Sequence, residues 1–173
     1  MVAPGSEGLS EVVDAFGSAI LGPDGALDRK ALAALVFGNE ENRKRLNAIT
    51  HPRITRLTLG RSAELAQRGE PLACYEAALI VENGVEDMFR PLVVVSTPES
   101  EQVARIVARD GLSEPEALAR IRSQKPLKEK VRVADFVVDT TGSVDELQGK
   151  VDELLTGICA KVGVDRTRYG GTG

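Results

Sequence analysis

From Arg120 to Arg132 the chain reads RIRSQKPLKEKVR, six cations against a single acid, Glu129. The protein as a whole carries a net charge of −4, so this reversal of sign is local. A transferring phosphoryl group spreads negative charge over its oxygens and needs fixed cations around it, which makes the stretch a candidate phosphate clamp. The plainer reading of such a run is a solvated helix face. A second set of polar groups follows the apolar runs EAALIVENG, VVVSTPE and FVVDTTG, which deliver Glu76, Glu82, Ser96, Thr97, Asp139, Thr140 and Thr141. Ligands of open α/β sheets gather at the carboxyl ends of strands. Taken singly, Thr97 also reads as a helix cap and Glu82 as the start of a turn. Glu76 precedes an apolar run, and an acid held within a strand is costly unless something pairs with it. His51, the lone histidine, offers a general base, yet its setting in THPR is where helix caps occur.

The remaining composition narrows the chemistry. At 173 residues, 42% apolar and 28% charged, the chain fits one globular domain. Its acidic balance argues against nucleic acid or an anionic membrane as partner. No run approaches 18 apolar residues, and the first residues have neither the basic nor the apolar segment of a signal peptide, so a cytoplasmic location is expected. Cys74 and Cys159 lack CxxC spacing and, with one histidine, cannot complete a structural zinc site; both are expected to be buried thiols. The pattern G-x-x-x-x-G-K-[ST], which cradles phosphates, does not occur in the sequence. Gly149-Lys150 precedes Val151 inside an expected helix and cannot serve in its place.

These groups need elements to position them. A helix is expected after a cap at Ser6 or Ser10, carrying Val12, Val13 and Phe16. Another runs from its cap at Asp28 to Gly38, a third from Asn39 to about Ile49, and a fourth from a cap at Thr50 or His51, with Pro52 in its first turn, to Gly69. From Pro71 the pattern changes to compact apolar runs of strand length, within PLACYEAALIVENG, RPLVVVSTPE and ADFVVDTTG, as in strands buried on both faces of a parallel sheet. Helices opened by Thr97, by Ser113 with Glu116, and by Ser143 with Glu146 complete the alternation. The last carries Leu147, Val151, Leu154, Leu155 and Ile158 on one stripe. The tail VGVDRTRYGGTG is expected to be frayed. The fold class is α/β.

In this order, VAPGSEGLSEVVDAFG, LDRKALAALVFGNEENRKRLNAITHPRI, YEAALIVENG, VVVSTPESEQVARIVARDGLSEPEALARIRSQKPLKEK and ADFVVDTTGSVDEL resemble the dephospho-coenzyme A kinases of bacterial type, up to about residue 155. Leu-Asp-Arg, His-Pro, Arg-Asp-Gly, Ala-x-x-Arg-Ile-x-x-Gln and Ala-Asp…Asp carry the likeness as a set. The resemblance implies a parallel-sheet, three-layer fold of the P-loop nucleoside monophosphate kinase kind. It implies a helical coenzyme A side over residues 1–70, a core over 71–109 and 133–160, a lid over 110–132 and a flexible tail over 161–173. It implies transfer of a phosphoryl group from ATP, with Mg2+, to the ribose 3′-hydroxyl of dephospho-coenzyme A. The expected partners are these small molecules, with neither nucleic acid nor membrane, in a monomer or weak oligomer. Arg109, Arg120 and Arg122 are the expected lid cations. His51, Glu76 and Glu82 fall to the substrate, and Thr140, Thr141, Lys128 and Lys130 to ATP.

Three departures accompany the resemblance. The family's Pro-Leu-Leu-Phe-Glu stands here as Ala78-Leu79-Ile80-Val81-Glu82, and its Ile-Asp-Asn as Val138-Asp139-Thr140, so base contacts fall to the backbone or to Thr140 and Thr141. The family's first strand, phosphate loop and second strand with its aspartate base have no counterpart in the sequence. The expectation is therefore an N-terminally shortened chain, with Met1 an interior position of the family pattern and no activity alone. The alternative is a non-catalytic module that binds coenzyme A or dephospho-coenzyme A.

Overall fold

A computed structural model describes residues 2–170. Two compact units divide the chain, Met1–Ala73 and Cys74–Gly173.

In the first unit, Ser6 caps α1 (Glu7–Phe16) by accepting the amide of Leu9, and Gly17, at φ 84°, turns the chain out of the helix. Asp28 Oδ1 accepts the amides of Lys30 and Ala31 to cap α2 (Arg29–Val36). Asn39 opens α3 (Glu40–Gln67) in the same way through the amide of Asn42. The three helices enclose Val12, Ile20 and Leu32, with Phe16, Leu27, Val36, Leu46 and Ile49 packed around them.

The expected break between two helices at Thr50–His51 does not occur. α3 runs unbroken through Pro52, and His51 is an interior helical residue rather than a cap. Proline removes one amide from the ladder and crowds the preceding turn. Side chains add bonds in the turns around it: the Thr50 hydroxyl donates to the Leu46 carbonyl, and Arg53 donates to the Ile49 carbonyl. Arg53 also reaches Glu11 at 2.5 Å, fastening α3 to α1 where the proline weakens it.

The second unit is built on two parallel strands, β1 (Val93–Ser96) and β2 (Phe136–Asp139), in register Val93 to Phe136 and Ser96 to Asp139. Between them come α4 (Glu99–Asp110), α5 (Glu114–Arg122) and α6 (Leu127–Val133); α7 (Val144–Val162) follows β2. Val94 packs with Val81, Leu92, Leu127 and Val133 on the α6 side. Phe136 points to the opposite face, as the alternation of strand side chains requires, and meets α7 at Gly157. The layers are therefore helix, sheet, helix. Each face is covered over one strand only, which leaves Val95 62% and Val137 45% exposed.

Four expectations need correction. Residues 71–84 form no strand. Among the described residues no strand pairs with them, and a strand without a ladder partner leaves its amides unmet. Turn bonds from Asn83 to Leu79, Gly84 to Val81 and Val85 to Ile80 take up that backbone instead, while Val81 remains buried. Cys74 is exposed in this irregular segment, whereas Cys159 is buried. α4 is preceded by Pro98, not capped by Thr97, which is itself buried. The tail carries regular structure through Tyr169: Asp165 caps a 3-10 turn over Arg166–Tyr169, and Arg166 pairs with Asp152 of α7. Residues 171–173 lie outside the described residues.

Candidate functional site

The carboxyl ends of β1 and β2 bring Thr97 and Thr140 together, their hydroxyls 2.5 Å apart. Arg105 of α4 donates to the Thr140 hydroxyl and to its carbonyl, and holds Glu101 one turn earlier. Lys150 of α7 donates to the carbonyls of Asp139 and Thr141, 3.0 Å each. Thr141 donates its amide back to Asp139, whose carboxyl is thereby held below the usual carboxylate range. Three consecutive carbonyls of the loop after β2 are thus taken by cations from two helices. Arg105 carries no signal in the sequence, and Lys150 shows there only as half of a Gly-Lys pair that cannot serve as a phosphate loop, because a lone cation inside a helix carries no pattern; position relative to a strand end becomes visible only on folding.

A second cluster lies at the joint between α4 and α5. Arg109 donates Nε and Nη2 to the two carboxylate oxygens of Asp110, at 2.7 and 2.9 Å. Arg120, from the last turn of α5, donates Nη1 to Asp110 Oδ2 at 2.6 Å. The Arg109 guanidinium, joined by Arg120, holds the Asp110 carboxyl below its ordinary range. Two of the three expected lid cations therefore converge on one acid. Arg122 is exposed two residues further on. Asp110 had a signal in the sequence, the Arg-Asp-Gly element, but nothing there said which cations it would gather.

The third cluster joins Glu82 to α6. Lys130 lies 2.5 Å from Glu82 Oε1, and both side chains are largely shielded, at 16% and 14% exposure. Lys130 also donates to Gln124, while Lys125 donates its amide to Glu82 and its ammonium to the Val81 carbonyl. Beside them Val81, Glu86, Lys125, Glu129, Arg132 and Val133 line a cavity of about 320 Å³. Lys128 stands exposed on α6, and Glu76 is exposed in the irregular segment, away from any strand. His51 is half-buried in the first unit. Among the described residues no group of three or more His, Cys, Asp or Glu side chains could hold a metal ion.

A parallel sheet between helices, with polar strand ends and a cationic joint between two of the helices, fits the P-loop kinase-like fold class. The sequence model of the CoaE dephospho-CoA kinase family matches residues 1–146. The chain belongs to the dephospho-CoA kinase family. It is 46% identical over 154 residues to a dephospho-CoA kinase of Anaeromyxobacter dehalogenans, covering 89% of this chain and 73% of that relative. It is 44% identical to the one of Geobacter sulfurreducens over 88% of this chain and 78% of the relative. Among solved structures, TT1252 from Thermus thermophilus superimposes with a TM-score of 0.73 at 38% identity, over 87% of this chain and 76% of that one. A dephospho-CoA kinase from Campylobacter jejuni gives 0.61 at 29% identity, over 88% and 76%. No helix of the described residues is long and apolar enough to cross a membrane.

Proposed function

We propose that this chain serves the ATP-dependent phosphorylation of the ribose 3′-hydroxyl of dephospho-CoA. The observation that carries the reading is the family match over residues 1–146, which takes in the lid arginines and both strand ends. Arg109, Arg120 and Arg122 supply fixed positive charge to the phosphoryl group in transit; their fork-shaped donors suit its equatorial oxygens. The α4–α5 joint acts as the lid that carries them. Thr140 and Thr141, held from behind by Arg105 and Lys150, form the floor against which the ATP base rests. His51, Glu76 and Glu82 are assigned to dephospho-CoA, and Lys128 and Lys130 to secondary phosphate contacts. Lys130 can take that part only by loosening its pair with Glu82. Magnesium, where it accompanies ATP, screens the charge between the phosphates; the protein's own contribution here is orientation and fixed cations.

Calorimetry with dephospho-CoA and a mass-resolved assay for CoA test the reading. The 173-residue chain is expected to retain dephospho-CoA. Its turnover should stay at background, because G-x-x-x-x-G-K-[ST] does not occur in it. Joining a phosphate-loop segment of the G-x-x-x-x-G-K-[ST] kind ahead of Val2 should bring turnover. A joined chain that folds and neither binds nor phosphorylates dephospho-CoA would overturn the reading. One that binds without turning over would favour a non-catalytic CoA-binding module.

A further inference from the structure

We propose that Asp110 is a positioning residue for the phosphate clamp: its carboxylate holds Arg109 and Arg120 convergent by standing where phosphoryl oxygens will stand, and is exchanged for them when a polyphosphate arrives. The proposal rests on the reading that these arginines serve a phosphoryl group. Arg109 lies in the last turn of α4 and Arg120 in the last turn of α5, so the two guanidiniums come from helices separated by the short connection Gly111–Ser113. Two cations brought this close repel each other unless an anion lies between them. Asp110 is that anion. Its two oxygens receive Nε and Nη2 of Arg109 and Nη1 of Arg120. The Asp110 side chain is 25% exposed, while those of Arg109 and Arg120 stand 71% and 54% exposed. A ligand therefore meets guanidinium first.

The charges make exchange possible. Two guanidiniums against one carboxylate leave one positive charge in excess. A phosphoryl group offers more acceptor oxygens than a carboxylate and accepts the same paired donors. Gly111 follows Asp110 at φ 68°, a left-handed turn that ends α4 at once. The acid thus sits on the last helical residue, beside the turn across which Arg120 is reached. Releasing Asp110 frees the donors and removes one ion-pair link between α4 and α5. An aspartate that only organised the arginines, without competing for their donors, would make the opposite prediction, since removing it would weaken anion binding.

The test is titration of the intact 173-residue chain with tripolyphosphate. Asp110→Asn, which removes the competing charge and keeps the shape, is expected to bind roughly two- to fivefold more tightly than the parent. The gain should shrink as salt is raised and vanish in Asp110→Asn/Arg120→Gln. Equal or weaker binding by a folded Asp110→Asn chain overturns the proposal, as does absence of binding in both chains. Should the variant lose its fold, the parent still decides: its Arg109 Nε–H resonance must shift along the tripolyphosphate isotherm, and a stationary resonance overturns the exchange. Dephospho-CoA is titrated into the same samples. Retention of it without a tripolyphosphate response sinks the exchange alone; loss of both sinks the functional reading as well.

Discussion

Lys130 and Glu82, 48 residues apart in the chain, form an ion pair 2.5 Å long that both side chains shield from water. It fixes the irregular segment after Val81 to α6, and Lys125 and Gln124 join it from the connection before that helix. Removing one partner strands the other in a poorly hydrated place, which costs more than the pair contributes. Lys130→Met is therefore expected to destabilise the protein by about 1–3 kcal/mol. Glu82→Gln should cost less, because the amide oxygen still accepts. In urea unfolding the double variant should lose less than the two single losses added together. Additive losses would show that the two groups do not depend on each other.

Gly157 faces the Phe136 ring so closely that an added Cβ would lie 3.0 Å from Cε1. Alanine in a helix interior gains about 1 kcal/mol over glycine, and a slight yielding of the ring offsets that gain. Gly157→Ala is expected to change stability by less than about 1 kcal/mol, whereas Gly157→Leu should cost about 1–3 kcal/mol by overpacking. Thermal unfolding of the two variants checks this. A leucine variant as stable as the parent would refute the close approach of α7 to β2.

The Asp135 carboxyl accepts the Leu92 amide, Arg90 and Lys161, and is held far below the usual carboxylate range, the Leu92 amide contributing most. The folded state thus binds this proton less readily than the unfolded chain, in which aspartate titrates near about 3.9. The stabilisation is complete above that value and is lost as pH falls below it. Between pH 7 and pH 3 the parent should lose more stability in urea unfolding than Asp135→Asn does. Asp110, Asp139, Glu116 and Glu146 are shifted the same way and keep some acid sensitivity in the variant. Equal losses in both chains would show that Asp135 is not the dominant acid.

What could be read from the sequence is what is local. Ser6, Asp28, Asn39, Ser113 and Ser143 announce helices because a cap acts within three residues of itself. VVVS and FVVD announce strands through their unbroken apolar character. The reading failed where a local signal needed a distant answer. ALIV has the composition of a strand, yet a strand exists only by pairing. Pro52 looks like a helix start, yet Arg53 and Glu11 carry α3 through it. At the site, Arg120 was legible as a cation in a basic stretch, but Asp110 as its counterion was not, because the contact spans the α4–α5 joint.

The loop after β2 gives the last prediction. The carbonyls of Asp139, Thr140 and Thr141 are held in turn by Lys150, Arg105 and Lys150. The amide of Thr140 goes to Ser96 and that of Thr141 to Asp139. With its backbone so occupied, the loop presents a fixed surface and has few free backbone groups with which to read a base. Its shape, set by α4 and α7, then matters more than its own polar atoms. Lys150→Met removes the tie to two of the three carbonyls and leaves the α7 stripe of Leu147, Leu154, Leu155 and Ile158 untouched. Hydrogen exchange is expected to speed several-fold in peptides spanning 139–143, with protection of Val137 and Val138 unchanged, since local openings need not follow global stability. ATP affinity should fall in parallel and recover in Lys150→Arg, which restores a cation of similar reach. Unchanged exchange over 139–143 would show that the loop holds itself and that Lys150 only decorates it.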